Sequence, residues 1–191
     1  MAVVGSSAQA LDWGYEHNTL MASNAMAFGL EGDQGPVSLR MHDNLFYAEA
    51  VPGQHYRLNL INRSDENVLV MLGVDGKDPA TGKSAGFTQK GFVIRAHEVV
   101  HLEHNNLVFS DVAKAYPGPS GTWGRAGQVR VGVFKQRKLS NLDGSPLTPD
   151  NFVRKSFWPD EVLTIQYDTN ARLNERGVRF EYEAAANPLP N

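Results

Sequence analysis

His97-Glu98-Val99-Val100-His101 spells H-E-x-x-H, the spacing with which zinc proteases set two imidazoles on one helical face and aim a glutamate at metal-bound water. That chemistry needs a helix. Here the motif holds two adjacent β-branched valines, follows the strand-like Gly91-Phe92-Val93-Ile94, and meets His104-Asn105-Asn106 before a helix of ordinary length could complete. In extended chain, residues four apart stand ~13 Å from each other at ~3.3 Å per residue, too far to share one ion. The longer metzincin pattern is missing as well, with no glycine at position 104 and no histidine at position 107. His97 to Leu102 is therefore expected to run as extended backbone. On that reading His97, Glu98 and His101 are solvated strand and turn residues, and a zinc hydrolase is the last of three functional readings.

The other reactive-looking patterns are weaker. Gly82-Lys83-Ser84 echoes a phosphate-binding loop, but Pro79 interrupts the loop and Ala85-Gly86-Phe87 does not begin a helix, so no amide cradle is expected. Asp75 and Asp78 lack the regular acidic spacing of a calcium loop and read as turn formers. Serine, histidine and aspartate occur throughout, yet none sits in a G-x-S-x-G elbow. No catalytic residue, metal site or cofactor is expected. Tyr116 and Trp123 stand on a loop rich in glycine and proline, residues 116–127, where aromatics serve as contacts with a protein partner, as anchors that fold the loop down, or as a stacking platform for a sugar. Protein contact ranks above carbohydrate.

Composition narrows the partners. The 191 residues suffice for one domain with a core that needs no staples. Eighteen Lys plus Arg against twenty-one Asp plus Glu, a formal charge of -3 without blocks, leave no footprint for gripping a phosphate backbone, so nucleic acid is not expected as a partner. The absence of cysteine removes disulfides, thiolate metal sites and thiol nucleophiles. No stretch approaches the eighteen or so apolar residues of a membrane-spanning helix. Ser7-Ala8-Gln9-Ala10 has the form of a signal-peptidase site, but only a short segment without a basic start precedes it, and it reads as coincidence. A start inside a longer secretory signal is the other reading.

The elements that would carry these residues are short strands. From Val51 to Phe134, apolar runs are cut every eight to twelve residues by Gly, Pro, Asn and Asp, the rhythm of an antiparallel sandwich or barrel. Strands are expected around Val37–His42, Leu45–Ala48, Tyr56–Ile61, Gly91–Ile94, Glu98–Leu102, Leu107–Phe109, Gln128–Phe134 and Glu161–Tyr167. Val68–Val74 is apolar on both faces and should be central. One short helix, 170–176, can be capped by Asp168 or Thr169 and closed by Gly177. A last strand is expected over Val178–Tyr182. Residues 1–35 show no sustained period and read as an extended N-terminal arm, with Trp13 and Tyr15 among its aromatic hooks. The expected organisation is this arm, a mainly antiparallel β-sandwich over residues 36–183, and a C-terminal tail over 184–191.

Val51-Pro52-Gly53, Leu58 to Arg63, Val68 to Gly76, Thr81-Gly82, Gln89 to Val93 and Gly132-Val133-Phe134, taken in order, resemble a family of small bacterial and prophage-associated β-domains of no known activity. Tyr116 stands where relatives commonly carry a Ser-Tyr-Ala loop. The resemblance covers about 51–134 and implies a β-sandwich without implying a reaction. The expectation is a non-enzymatic structural or interaction protein of an oligomeric assembly, with Trp13, Tyr15, Tyr116 and Trp123 as partner contacts. A virion component of a bacteriophage, a capsid-decorating or minor head or tail protein, leads. A secreted or periplasmic glycan-binding domain comes second.

Overall fold

The computed structural model describes residues 2–6, 19–105, 107–114, 123–137 and 146–180. Two six-stranded sheets face one another. The first runs in the order β1 (Ala2–Ser6), β10 (Val99–Glu103), β7 (Tyr56–Asn62), β3 (Met26–Gly32) and β2 (Met21–Ala22), with β4 (Gly35–Pro36) also pairing to β3. The second runs β5 (Leu39–His42), β6 (Leu45–Glu49), β12 (Glu161–Asp168), β11 (Gln128–Lys135), β8 (Val68–Val74) and β9 (Phe92–Ile94). All pairings are antiparallel except β6 with β12. The expected all-β sandwich is thus the observed one.

Alternation builds the core. Met26, Phe28 and Leu30 of β3, Leu58 and Leu60 of β7, and Leu102 of β10 meet Val70 and Leu72 of β8, Val129, Val131 and Val133 of β11, and Ile165 of β12. Each lies one residue in two along its strand, as a half-buried sheet requires. β8 is buried at every position because both of its faces are covered. Val68, Val70, Leu72 and Val74 point to the other sheet, whereas Leu69 and Met71 lie beneath Trp123, Phe134 and Phe152.

Three local expectations are corrected. Residues 1–35 are not an arm throughout: β3 pairs with β7 over seven residues, from Met26↔Asn62 to Gly32↔Tyr56, and β1 pairs with β10. Small residues hid the period of β3. Ala27 and Gly29 face outward, and a Cβ on Gly29 would lie 2.3 Å from the Thr19 carbonyl oxygen, so glycine there admits the preceding segment. Leu107–Phe109 forms no strand but a single bridge, His55↔Val108, tied by Tyr56 N–H to the Leu107 carbonyl and Phe109 N–H to the Gln54 carbonyl. Residues 178–180 are not a strand either. After the helix α1 (Asn170–Glu175), Gly177 takes φ +81 and Val178 N–H bonds back to the Leu173 carbonyl, a Schellman ending. Leu173 and Val178 then cover Tyr47 on the outer face of β6. Tyr182 and the tail 184–191 lie outside the described residues.

Candidate functional site

The H-E-x-x-H stretch contains no helix. His97 lies in a turn at φ 58, and only Val99 to Glu103 is strand, so extended backbone begins later than expected. Glu98 closes that turn by accepting the Arg95 N–H at 2.7 Å. The two imidazoles have separate partners: His97 Nε2 meets the Asp65 carboxylate at 2.9 Å in solvent, and His101 Nδ1 meets Asn59 Oδ1 at 2.6 Å. Among the described residues no group of three His, Asp or Glu converges as metal ligands do. The Gly82-Lys83-Ser84 stretch is part of a hairpin loop, with Asp78 N–H bonding the Lys83 carbonyl and Lys77 bridging Ser84. Asp78, buried, accepts from Ala80 N–H at 2.9 Å and Thr81 Oγ1 at 2.7 Å, the self-closing turn its type favours.

Asp75 does more than turn the chain. It and Gly76 take φ 52 and 76, and Val74 and Lys77 exchange both backbone bonds at 2.8 Å, the mirror-image turn that twisted hairpins prefer. The carboxylate projects back and gathers distant elements. Tyr167 of β12 donates its hydroxyl at 2.6 Å, Gly127 donates its N–H at 2.8 Å, and Ser110 donates its hydroxyl. Ser110 N–H in turn donates to the Tyr167 oxygen at 3.2 Å. Burial, and then the charge of Asp75, pushes the Tyr167 phenol well above its ordinary value. Tyr56 stacks on Phe109 at 4.4 Å, and its phenol is pushed up by burial first and by Tyr167 and Asp75 second. The Tyr56 hydroxyl is buried and has no hydrogen-bond partner among the described residues.

Above this network lies a cleft of about 460 Å³, between the hairpin loop of β8 and the segment that follows β10. Val74, Pro79, Val108 and Phe109 give it apolar walls, and Asp75 and Asp78 line it. A smaller, more polar hollow of about 210 Å³ shares Asn105 with it and is lined by Glu31 and Asp33. Through these bonds Asp75 ties the β8 hairpin, β12 and the segment after β10 together at this end of the sandwich.

The aromatics divide sharply. Trp123, expected as a partner contact, is 8% exposed, and its indole lies over Gly132 and Gly73 of the outer sheet face. Arg130 stacks on it at 5.5 Å, and Phe87 packs beside it at 5.3 Å. Loop aromatics either project or anchor, and this one anchors. Burial, and then Arg125, pushes the Arg130 guanidinium below its ordinary value. Trp13, Tyr15 and Tyr116 lie outside the described residues. Among the described residues the exposed aromatics are Phe157 at 53% and Trp158 at 63%, neither of them a candidate site residue in the sequence. Their rings touch at 5.3 Å, nearly perpendicular at 85°, and both rest on Phe87, at 6.3 and 5.2 Å. Phe87 reaches Phe134 at 6.1 Å, and the Arg154 guanidinium lies over Phe134 and Phe157 while donating to the Phe87 carbonyl at 2.7 Å. Val162, 41% exposed, pairs with Gly132 on the same outer face. The only signal available in sequence is Phe157-Trp158-Pro159 lying outside any alternating run.

No family model, no curated protein and no solved structure matches the chain. No described helix is long and apolar enough to cross a membrane.

Proposed function

We propose that this chain is a non-enzymatic structural protein that works by docking to other protein subunits, as a component of a bacteriophage particle. The observation that carries the reading is the Phe157–Trp158 pair, exposed yet held by Phe87 and Arg154. A large apolar surface that is already rigid binds with little further ordering cost, and tryptophan and arginine dominate the energetics of protein contacts. The perpendicular setting of the two rings favours protein over sugar. A pyranose stacks on an open flat face, whereas a corner of two rings suits a side chain or a turn of backbone. The glycan reading, with its periplasmic or secreted location, ranks second and now rests on Trp158 instead of Trp123. The resemblance of 51–134 to prophage-associated β-domains supports the viral setting.

Inducing the prophage of the encoding bacterium and purifying its particles tests the proposal. Peptides of this chain should band with the particles at a fixed ratio to the major capsid protein. Finding the chain only in the soluble fraction overturns the reading.

A further inference from the structure

Resting on that reading of the aromatic face, we infer that its occupant is a second copy of this chain, which receives Trp158 in the cleft at the Asp75 end of the sandwich. Charge and shape both point there. The backbone-paired ribbon under the rings, residues 135–137 against 153–155, carries Lys135, Arg137, Arg154 and Lys155, none ion-paired among the described residues, against one carboxylate in the same state, Asp160, which accepts the Lys135 N–H at 2.8 Å. At the cleft and the hollow beside it, Glu31, Asp33, Asp75 and Asp78 are carboxylates without an ion-paired cation among the described residues, against one cation in the same state, Lys77. On a chain of net charge -3, the basic surplus adjoins the exposed rings and the acidic surplus adjoins the apolar-walled cleft. Opposite potentials steer such faces together and fix their orientation.

The cleft's volume of about 460 Å³ falls in the range of roughly 300–1,000 Å³ typical of pockets that accept a ligand. Its apolar walls suit an indole, and Glu31 and Asp33 in the hollow beside it suit the arginine and lysines that flank that indole.

The two faces cannot meet within one molecule. Phe134, under the rings, and Gln128, whose carbonyl accepts the Asp75 N–H at the cleft, are ~20 Å apart along β11 at about 3.3 Å per residue. A knob on one face and a hole on another make a heterologous contact, which propagates into a ring or a filament where a two-fold contact would stop at a dimer.

Sedimentation of the full-length chain over a concentration series tests this with two surface variants. Trp158→Ala removes the knob. Asn105→Arg places a long cation at the cleft, at an exposed residue with no hydrogen bond among the described residues; circular dichroism melting checks that both variants remain folded. Wild type should associate reversibly beyond a dimer and at least tenfold more weakly at high salt than at low salt, because screening shortens the reach of the charges. Each variant alone should be monomeric. An equimolar mixture should stop at a one-to-one dimer, since the mixture holds one intact knob and one intact hole. A wild type that stays monomeric throughout, association that survives Trp158→Ala, or association that needs Trp158 but ignores Asn105→Arg each overturns the inference. Banding with virus particles is read separately, so a monomeric wild type found in particles removes self-docking and leaves the assembly role standing.

Discussion

Removing one oxygen from each of two buried tyrosines should move stability in opposite directions. Tyr56 and Tyr167 are 5% and 2% exposed, and both pack on Phe109, at 4.4 and 5.0 Å. Their hydroxyls differ in what they touch. That of Tyr167 donates to the Asp75 carboxylate at 2.6 Å and accepts from Ser110 N–H at 3.2 Å, whereas that of Tyr56 has no hydrogen-bond partner among the described residues. A hydrogen bond to a charged group contributes ~1.5–3 kcal/mol, and a buried donor left unpaired costs ~1–3 kcal/mol. Tyr167→Phe loses the first and leaves Ser110 N–H without its acceptor, so a destabilisation of about 2–3 kcal/mol is expected. Tyr56→Phe loses nothing and sheds a desolvated hydroxyl, so a change between about 0 and 1 kcal/mol in the stabilising direction is expected. Urea unfolding followed by tryptophan fluorescence resolves the two. With an m-value of ~2 kcal/mol/M, Tyr167→Phe should lower the midpoint by about 1–1.5 M, while Tyr56→Phe should hold or raise it. Equal losses from both substitutions, or a larger loss from Tyr56→Phe, would refute the assignment of Asp75 as the hub of this end of the sandwich.

The same tyrosines set the alkaline limit. Both phenols are pushed above their ordinary value of 10.0 in the folded chain, so above about pH 10 the unfolded chain releases protons that the folded chain keeps, and stability falls as pH rises. Each tyrosine should contribute a slope of up to ~1.4 kcal/mol per pH unit, which Tyr56→Phe should roughly halve in melts between pH 10 and 11.5. Gly132→Ala would place a Cβ 2.9 Å from two ring atoms of Trp123; a cost of ~1–3 kcal/mol and a shift in tryptophan emission are expected. Asn62, 1% exposed, donates from Nδ2 to the carbonyls of Glu66, Ile94 and Arg95 at 2.8, 3.2 and 2.9 Å. Asn62→Ala should cost about 3 kcal/mol in urea unfolding, and a loss below 1 kcal/mol would mean that those carbonyls find other donors.

What the sequence made legible follows the range of the forces involved. Alternation is a local signal, and it located β7 and β11, which carry large apolar side chains one residue in two, while β8 was legible as an unbroken apolar run and β12 by its β-branched content. It failed in β3, where Ala27 and Gly29 occupy the outer face. A small residue reads as neutral in isolation and as necessary only once Leu20 and Thr19 are seen packed over it. The H-E-x-x-H question was also local, decided by the β-branched Val99 and Val100. Asp75 was legible as a turn residue from the Asp-Gly pair, but its role as hub depends on Tyr167, ninety-two residues away, and no local pattern encodes that. The two tryptophans show the limit most clearly. Trp123 precedes a glycine and Trp158 a proline, both in irregular polar stretches, and nothing near either one says which is buried. The difference lies in Gly73 and Gly132, which leave a hollow on the outer sheet that admits one indole. With that hollow filled by Trp123, Phe87 is held against it, and the next aromatics along the face, Phe157 and Trp158, rest on Phe87, with Arg154 over Phe157. Their exposure therefore follows from the earlier burial. Enlarging either glycine should loosen both layers together, the anchor directly and the docking face through Phe87.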